Sequence, residues 1–352
     1  MKIIHCADIH LGSKMDSVLP REKADERRVE VRATFSRMIE YARKNGVRVI
    51  LLAGDIFDSD RPLKKDKQFF YDAVRANPEI DFLYLRGNHD RGESYTENLP
   101  NLKTFSNEWT GYSYGGIVIS GLEISAENCV SMYSTLNLNP RNKNIVMLHG
   151  QAGDRSQDGC INLLRLADKS IDYLALGHIH SHKSGRLDGR GVYSYSGCLE
   201  GRGFDEAGEK GFVLLDVGEG ISAEFVPFAR RTVFEVAVDV STTKNAYGCY
   251  QMLISTLNFP RDSLLKVALK GEIDYDDYRI CKELEEQLST DYYFVTVRND
   301  TRKRLDLEKL AGEISLRGEF VRQVLASGYP DGRKREIIAA GLKALDGREA
   351  EL

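Results

Sequence analysis

The chain has 352 residues, long enough to bury a large core, so one large domain with a smaller appended unit is expected. Hydrophobic residues make up 42% and charged residues 29%, which excludes an apolar-poor disordered chain, and a net charge of −4 excludes a protein that coats nucleic acid by basicity alone. No stretch approaches the ~18 consecutive apolar residues of a membrane span, and MKIIHCADIHLG reaches Asp8 and His10 too soon for a secretory leader, so a cytoplasmic protein with no membrane partner is expected. Cys6, Cys129, Cys160, Cys198, Cys249 and Cys281 lack CxxC spacing and read as free thiols.

Taken in chain order, short aliphatic runs alternate with helical patterns as far as about Val217, the signature of βαβ units feeding a largely parallel sheet. The runs KIIHCAD, RVILLAGD, DFLYLRGNHD, NIVMLHG and DYLALGHIH each read as a buried strand ending in polar residues. Between the first two, Val29, Ala33, Phe35, Met38, Ile39 and Ala42 recur at helical spacing before Gly46, predicting an amphipathic helix over residues 24–45. After the turn residues RLDGRG, the segments VYSYSG, GFVLLDV and SAEFVPF read as antiparallel strands closing the sheet, with a second sheet layer expected.

The pattern restarts near residue 229, giving strand, helix, strand, helix, strand to about Val297. Leu307, Leu310, Ala311, Ile314, Phe320, Val321, Val324 and Leu325 then form an apolar stripe on one helix or a kinked pair, and a last amphipathic turn or two follows Pro330. The expected domains are therefore 1–228, a small α/β unit over 229–300 and helices over 301–352. The fold class is α/β: a two-layered β-sheet core flanked by helices, with a smaller α+β domain and C-terminal helices.

The polar residues that end the five strands carry the chemical information. DIH, GDIFD, GNHD, HG and GHIH all fall at carboxyl ends of strands, the edge of an open α/β sheet where ligands bind. Carboxylate, imidazole and amide together suit divalent Mn, Fe, Zn or Ni rather than a thiolate-seeking metal. One histidine in a strand is more often a core or surface residue than a ligand. Here five of the seven histidines, His10, His89, His149, His178 and His180, share these motifs with Asp8, Asp55 and Asn88, and joint placement points to a metal site. On an extended segment residues two apart share a face, so the pairs Asp8/His10 and His178/His180 are each expected to serve one centre. Gly54, Gly87, Gly150 and Gly177 would relieve crowding where backbone approaches the metals. His5 reads as a hydrogen-bonded core residue and His182 as a solvated loop residue.

DxH, GDxxD, GNHD, HG and GHxH in this order resemble the calcineurin-like metallophosphoesterases. IIHCADIHLG and YSYSGCLEGRGFDEAGEKGFVLLDV narrow the resemblance to the SbcD-type DNA-repair nucleases, over about residues 1–230. The resemblance implies that Asp8, His10 and His180 hold one metal, that Asn88, His149 and His178 hold the other, and that Asp55 bridges them. It implies two divalent ions, with Mn favoured. His89 is similar to the histidine that approaches the scissile phosphate, with Asp90 orienting its other ring nitrogen. Asp58 stands where eukaryotic relatives carry histidine and is expected to act at most through a neighbouring ligand. DNA and an SbcC-like coiled-coil ATPase are the implied partners, and a homodimer is compatible with the resemblance.

Two cations so held would bind the phosphoryl oxygens and make hydroxide available at neutral pH, while His89 acts on the leaving oxygen by donating a proton or by stabilising charge. Arg61, Lys64, Lys65, Lys67 and Arg202 are candidates for a basic rim, although Asp60 and Asp66 interleave with the lysines. The leading function is a DNA exonuclease and endonuclease subunit. The alternatives are a phosphatase or small-molecule phosphodiesterase using the same metals, and a scaffold that binds an ATPase without catalysis. GNHD in place of GNHE and the absence of a GDxxDRG continuation weaken the phosphoprotein phosphatase version, and the complete ligand set weakens the scaffold.

Overall fold

Aliphatic runs of about five residues are too short for helices, and in the computed structural model they become strands buried on both faces. The structure describes residues 1–16, 19–92, 97–155, 157–273 and 280–345. They fall into two units, Met1–Glu235 with Asp262–Leu265, and Val236–Arg261 with Lys266–Leu352.

The first unit runs β1 (Lys2–Cys6), α1 (Arg21–Lys44), β2 (Val49–Ala53), α2 (Lys64–Arg75), β3 (Asp81–Leu85), β4 (Leu102–Thr104), β5 (Thr110–Tyr114), β6 (Ile117–Gly121), α3 (Met132–Thr135) and β7 (Lys143–His149). It continues with β8 (Gln151–Gly153), β9 (Cys160–Asn162), β10 (Tyr173–Gly177), β11 (Lys183–Arg186), β12 (Val192–Tyr195), β13 (Gly211–Val217) and β14 (Ile221–Pro227). One six-stranded sheet has the order β14-β13-β1-β2-β3-β4 and the other β11-β12-β10-β7-β6-β5. Strands β1 to β4 are mutually parallel, and β13 and β14 close that sheet antiparallel. VYSYSG departs from expectation: β12 runs parallel to β10 and is antiparallel only to β11, because the chain crosses back along β11 before entering it.

The strand period of two divides the apolar residues between layers. Ile3, Val49, Leu51 and Leu83 meet Ile119, Ile145, Met147 and Tyr173 in the core shared by the two sheets. The alternate residues Val146, Leu148, Leu174 and Leu176 face outward onto Leu122, Met132 and Tyr133. On the first sheet Phe35 of α1 packs on Phe70 of α2 at 6.2 Å between centroids, and Phe70 packs on Tyr84 of β3 at 5.6 Å. The buried face of α1 differs from the apolar count: Val29 is 64% exposed, whereas Arg27 and Thr34 are fully buried. Glu200 explains the exchange, since Arg27 Nη2 and Thr34 Oγ1 both donate to its carboxylate, at 2.7 and 2.8 Å.

The second unit contains β15 (Val233–Asp239), α4 (Ala246–Thr256), β16 (Leu264–Lys270), β17 (Glu272–Ile273), α5 (Ile280–Leu288), β18 (Phe294–Asn299) and β19 (Arg302–Lys303), with a three-stranded sheet β15-β16-β18. The chain then forms α6 (Leu307–Gly312), α7 (Leu316–Ala326) and α8 (Asp331–Leu345), so the segment after Pro330 is four turns of helix rather than one or two. Side chains of Asp306 and Ser315 cap α6 and α7 by accepting from the amides of Lys309 and Gly318. The apolar stripe is mostly internal: Leu307, Leu310, Phe320, Val324 and Leu325 pack around Val321, Ile338 and Leu342, and Ile314 alone of the stripe is fully exposed. Among the described residues no helix is long and apolar enough to cross a membrane.

Candidate metal centre

Where β1, β2, β3, β7 and β10 end, their following residues converge. The segment after β1 is zipped to the segment after β2 by Asp8 N to Gly54 O (3.0 Å), His10 N to Asp55 O (3.0 Å) and Leu11 N to Ile56 O (2.8 Å). Glycine is required here: Gly54 has φ +95°, and a Cβ on it would lie 2.0 Å from His149 Nδ1, while one on Gly87 would lie 2.1 Å from Asp55 Oδ1.

The loops are not extended as the DxH and GHxH spacings suggest. Asp8, His10, Asp55 and His178 have φ of 51°, 50°, 51° and 101°, four of the seven non-glycine residues at positive φ among those described. Such conformations cost about 1–3 kcal/mol each and concentrate at functional sites. They also change the partition of side chains. Asp8 and His10 share a cluster, as expected, but His178 and His180 do not: His180 Nε2 lies 3.2 Å from His10 Nε2, whereas His178 Nδ1 lies 3.0 Å from Asn88 Oδ1. The left-handed turn at His178 replaces the strand alternation that would have kept the pair together.

Two groups result. Asp8, His10 and His180 form the first. Asn88, His149 and His178 form the second, with Asn88 Oδ1 3.0 Å from His149 Nε2. Asp55, 1% exposed, lies between them, its Oδ2 3.3 Å from His149 Nε2 and 3.9 Å from His10 Nε2. Asp8 holds the opposite side, both its oxygens accepting from His178 N at 3.0 Å.

The donor chemistry fits divalent cations. His149 Nδ1–H donates to Ala53 O at 2.9 Å, leaving Nε2 with only a lone pair, which faces the oxygens of Asn88 and Asp55. His10 Nδ1 is 3.0 Å from Asp58 Oδ1, and His180 Nδ1 is 2.7 Å from Glu206 Oε1, so both rings turn Nε2 lone pairs toward each other. Two nitrogens about 2.0–2.1 Å from one cation, as in zinc sites, lie about 2.9–3.4 Å apart at ordinary ligand angles, which brackets the 3.2 Å found here. Acceptors facing acceptors need positive charge between them.

The protonation equilibria agree. Burial pushes Asp8 up to about 6 and His10 down to about 4. Burial opposes charge on Asp55 and His149 too, yet their mutual hydrogen bond and attraction hold the Asp55 carboxyl well below the usual range and lift His149 up to about 9. The cluster thus attracts a proton or, with greater charge, a divalent cation.

His89 is exposed, donates its backbone N–H to Asp55 Oδ1 at 2.9 Å, and its ring lies 5.0 Å from that of His10. Asp90 does not meet this ring. It is fully buried, and its oxygens accept from Gly87 N (2.5 Å), Ile56 N (2.9 Å) and Tyr84 OH (2.6 Å), so it ties down the loop that carries Asn88 and His89. The His89 ring is instead nearest Asp58 O, at 3.3 Å from Nδ1.

Arg202 turns inward, its side chain 16% exposed, to bind Glu206 and Asp58, so it is no rim residue. Glu206 and Asp58 are the important residues that sequence reasoning passed over or placed only loosely. The one available signal was the acid of GFDE near GHIH in the chain. Arg61, Lys64 and Lys65 are exposed, and buried Asp66 pairs with Arg32. His5 is fully buried and hydrogen-bonded to Tyr173 OH (2.9 Å), while His182 is stacked on Phe225 at 4.4 Å and donates to Tyr195 O, more enclosed than a solvated loop residue.

Comparison with known proteins gives three kinds of relative. The family model described as calcineurin-like phosphoesterase matches residues 1–182. The chain is 30% identical over 286 residues to the uncharacterized metallophosphoesterase YhaO of Bacillus subtilis, covering 73% of this chain and 68% of that protein. It is 29% identical over 239 residues to the DNA double-strand break repair protein Mre11 of Sulfurisphaera tokodaii, covering 61% of this chain and 59% of that one. A shorter match, 33% identical over 94 residues, covers 26% of this chain and 22% of SbcD, the smaller-letter partner in the nuclease SbcCD of Rhodobacter capsulatus.

Proposed function

Because the chain belongs to the calcineurin-like phosphoesterase family, a family of metal-dependent hydrolases, we propose that it is a two-metal phosphodiesterase acting on DNA, an exonuclease and endonuclease component of DNA repair. The observation that carries the proposal is the convergence of Asp8, His10, Asp55, Asn88, His149, His178 and His180 with only acceptor atoms facing inward. The choice of DNA is supported by the likeness to Mre11 and to SbcD, both of which extend well beyond the shared stretch.

Asp8, His10 and His180 would hold one cation and Asn88, His149 and His178 the other, with Asp55 serving both; Mn is favoured, and Fe, Zn and Ni suit the same donors. Bound there, the pair of cations would screen phosphodiester charge and lower the pKa of water. The residues of the chain do the rest. Asp55 Oδ1 fixes the His89 backbone and Asp90 pins the loop, so the exposed His89 ring is held beside the cluster where a leaving oxygen would emerge. His89 is therefore the group proposed to donate a proton to that oxygen or stabilise its charge. A cleft lined by Arg86, Gly87, Arg91, Asn107, Ser125 and His149 runs alongside, and its guanidinium groups are suited to a polyanionic strand.

An SbcC-like ATPase is the proposed partner and the cytoplasm the proposed location. Residues 301–352 are the proposed docking region. Their stripe is largely committed to their own packing, so the docking contact is assigned to the exposed Ile314 and Leu316, at 104% and 72% exposure. The function is tested with purified protein and Mn on single-stranded, duplex and hairpin DNA, alongside p-nitrophenyl esters. DNA cleavage that EDTA abolishes is expected. Turnover of the aryl esters with DNA left intact would instead make the chain a small-molecule phosphoesterase.

A further inference from the structure

The two halves of the centre are held from behind by different chemistry. Behind the first lies an unbroken ion network. Glu206, 2% exposed and set in a single 3-10 turn, accepts from His180 Nδ1 at 2.7 Å. Arg202 donates to the same carboxylate from its backbone N (2.6 Å) and Nη2 (2.6 Å), and its Nη1 reaches Asp58 Oδ1 at 2.9 Å. Asp58 Oδ1 is in turn 3.0 Å from His10 Nδ1. The chain His180–Glu206–Arg202–Asp58–His10 therefore joins both imidazoles of one cluster through two carboxylates and a shared guanidinium. Lys210, 2% exposed, adds a hydrogen bond to His180 O at 2.8 Å and fixes the backbone of that ligand as well. Behind the second cluster the corresponding contact is neutral: His149 Nδ1–H meets the carbonyl of Ala53.

A carboxylate behind an imidazole fixes its tautomer and raises the basicity of the opposite nitrogen, and loss of such a support commonly weakens metal affinity by about 10- to 100-fold. A carbonyl fixes the tautomer with less charge. Resting on the reading of the site as a two-cation centre, we infer that Glu206, Arg202 and Asp58 are positioning residues that make the Asp8–His10–His180 site the tighter of the two, so that it fills first.

The test is a calorimetric titration of the metal-free full chain with Mn²⁺. Wild-type protein should show two resolved binding steps. Glu206→Gln keeps an amide oxygen able to accept from His180 but lacks the charge, and Asp58→Asn does the same on the His10 arm. Each is expected to weaken the tighter step by about 10- to 100-fold and leave the weaker step in place. Unchanged steps, weakening confined to the weaker step, or two indistinguishable steps in the wild type would overturn the inference. If Glu206→Gln fails to fold by circular dichroism, Asp58→Asn carries the test alone, since that side chain is 27% exposed. Wild-type protein binding fewer than two Mn²⁺ would instead defeat the two-cation reading itself.

Discussion

Replacing Asp55 by asparagine separates the two duties of that side chain. Oδ1 accepts the His89 N–H at 2.9 Å, a contact that an amide oxygen can keep, so the loop carrying Asn88 and His89 should stay in place. Oδ2 supplies the carboxylate charge lying between His149 Nε2 at 3.3 Å and His10 Nε2 at 3.9 Å, and asparagine removes it. The residue is 1% exposed, so water offers little compensation. Removing one partner of a buried charge pair costs about 3–5 kcal/mol. At about 1.4 kcal/mol per decade, that is roughly 10²- to 10⁴-fold in affinity for a cation held against it. Both cations should be affected, because the oxygen faces both clusters. The assay is metal content by plasma emission after dialysis against micromolar Mn²⁺, with cleavage measured on the same sample. Fewer than two equivalents and no detectable turnover are expected. Two retained equivalents with wild-type turnover would refute the bridging position, and loss of one equivalent alone would reduce Asp55 to a ligand of a single centre.

His89→Gln should keep both metals and lower cleavage by roughly 10²- to 10⁴-fold, the range of a general acid or base, and loss of metal in that variant would make His89 a ligand instead. Burial pushes His5 down to about 3 from an unfolded value near 6.5, so between those values the unfolded chain binds the extra proton and stability falls as the pH falls. Acidification from pH 7 to 5 should therefore remove roughly 2 kcal/mol through His5, and His5→Asn should lose correspondingly less in urea melts at the two pH values; equal losses in both proteins would refute the assignment. Ile314→Asp combined with Leu316→Asp should leave Mn-dependent cleavage of short single strands intact and abolish co-purification with an SbcC-like ATPase. Undiminished co-purification would place the docking surface elsewhere.

The sheets and the site loops were legible in the sequence because burial on both faces forces continuous aliphatic runs, and the first polar residues after each run stand at its end. What escaped was non-local. Arg27 reads as a solvent-facing helix residue until Glu200, far along the chain, supplies its partner. Glu206 reads as surface charge until Arg202 folds inward over it. His178 and His180 look like one pair because the spacing carries no sign of the positive φ at His178 that sends them to different clusters. The stripe from Leu307 to Leu325 was visible, but helical period alone does not distinguish a face packed on α8 from one awaiting a partner.

The central claim is that one carboxylate and six further ligands from five strand ends hold two cations side by side. Anomalous diffraction at the manganese edge from crystals equilibrated with Mn²⁺ tests it most directly. Two peaks are expected, one among Asp8, His10 and His180 and one among Asn88, His149 and His178, with Asp55 touching both. A single peak, or two peaks without Asp55 between them, would contradict it.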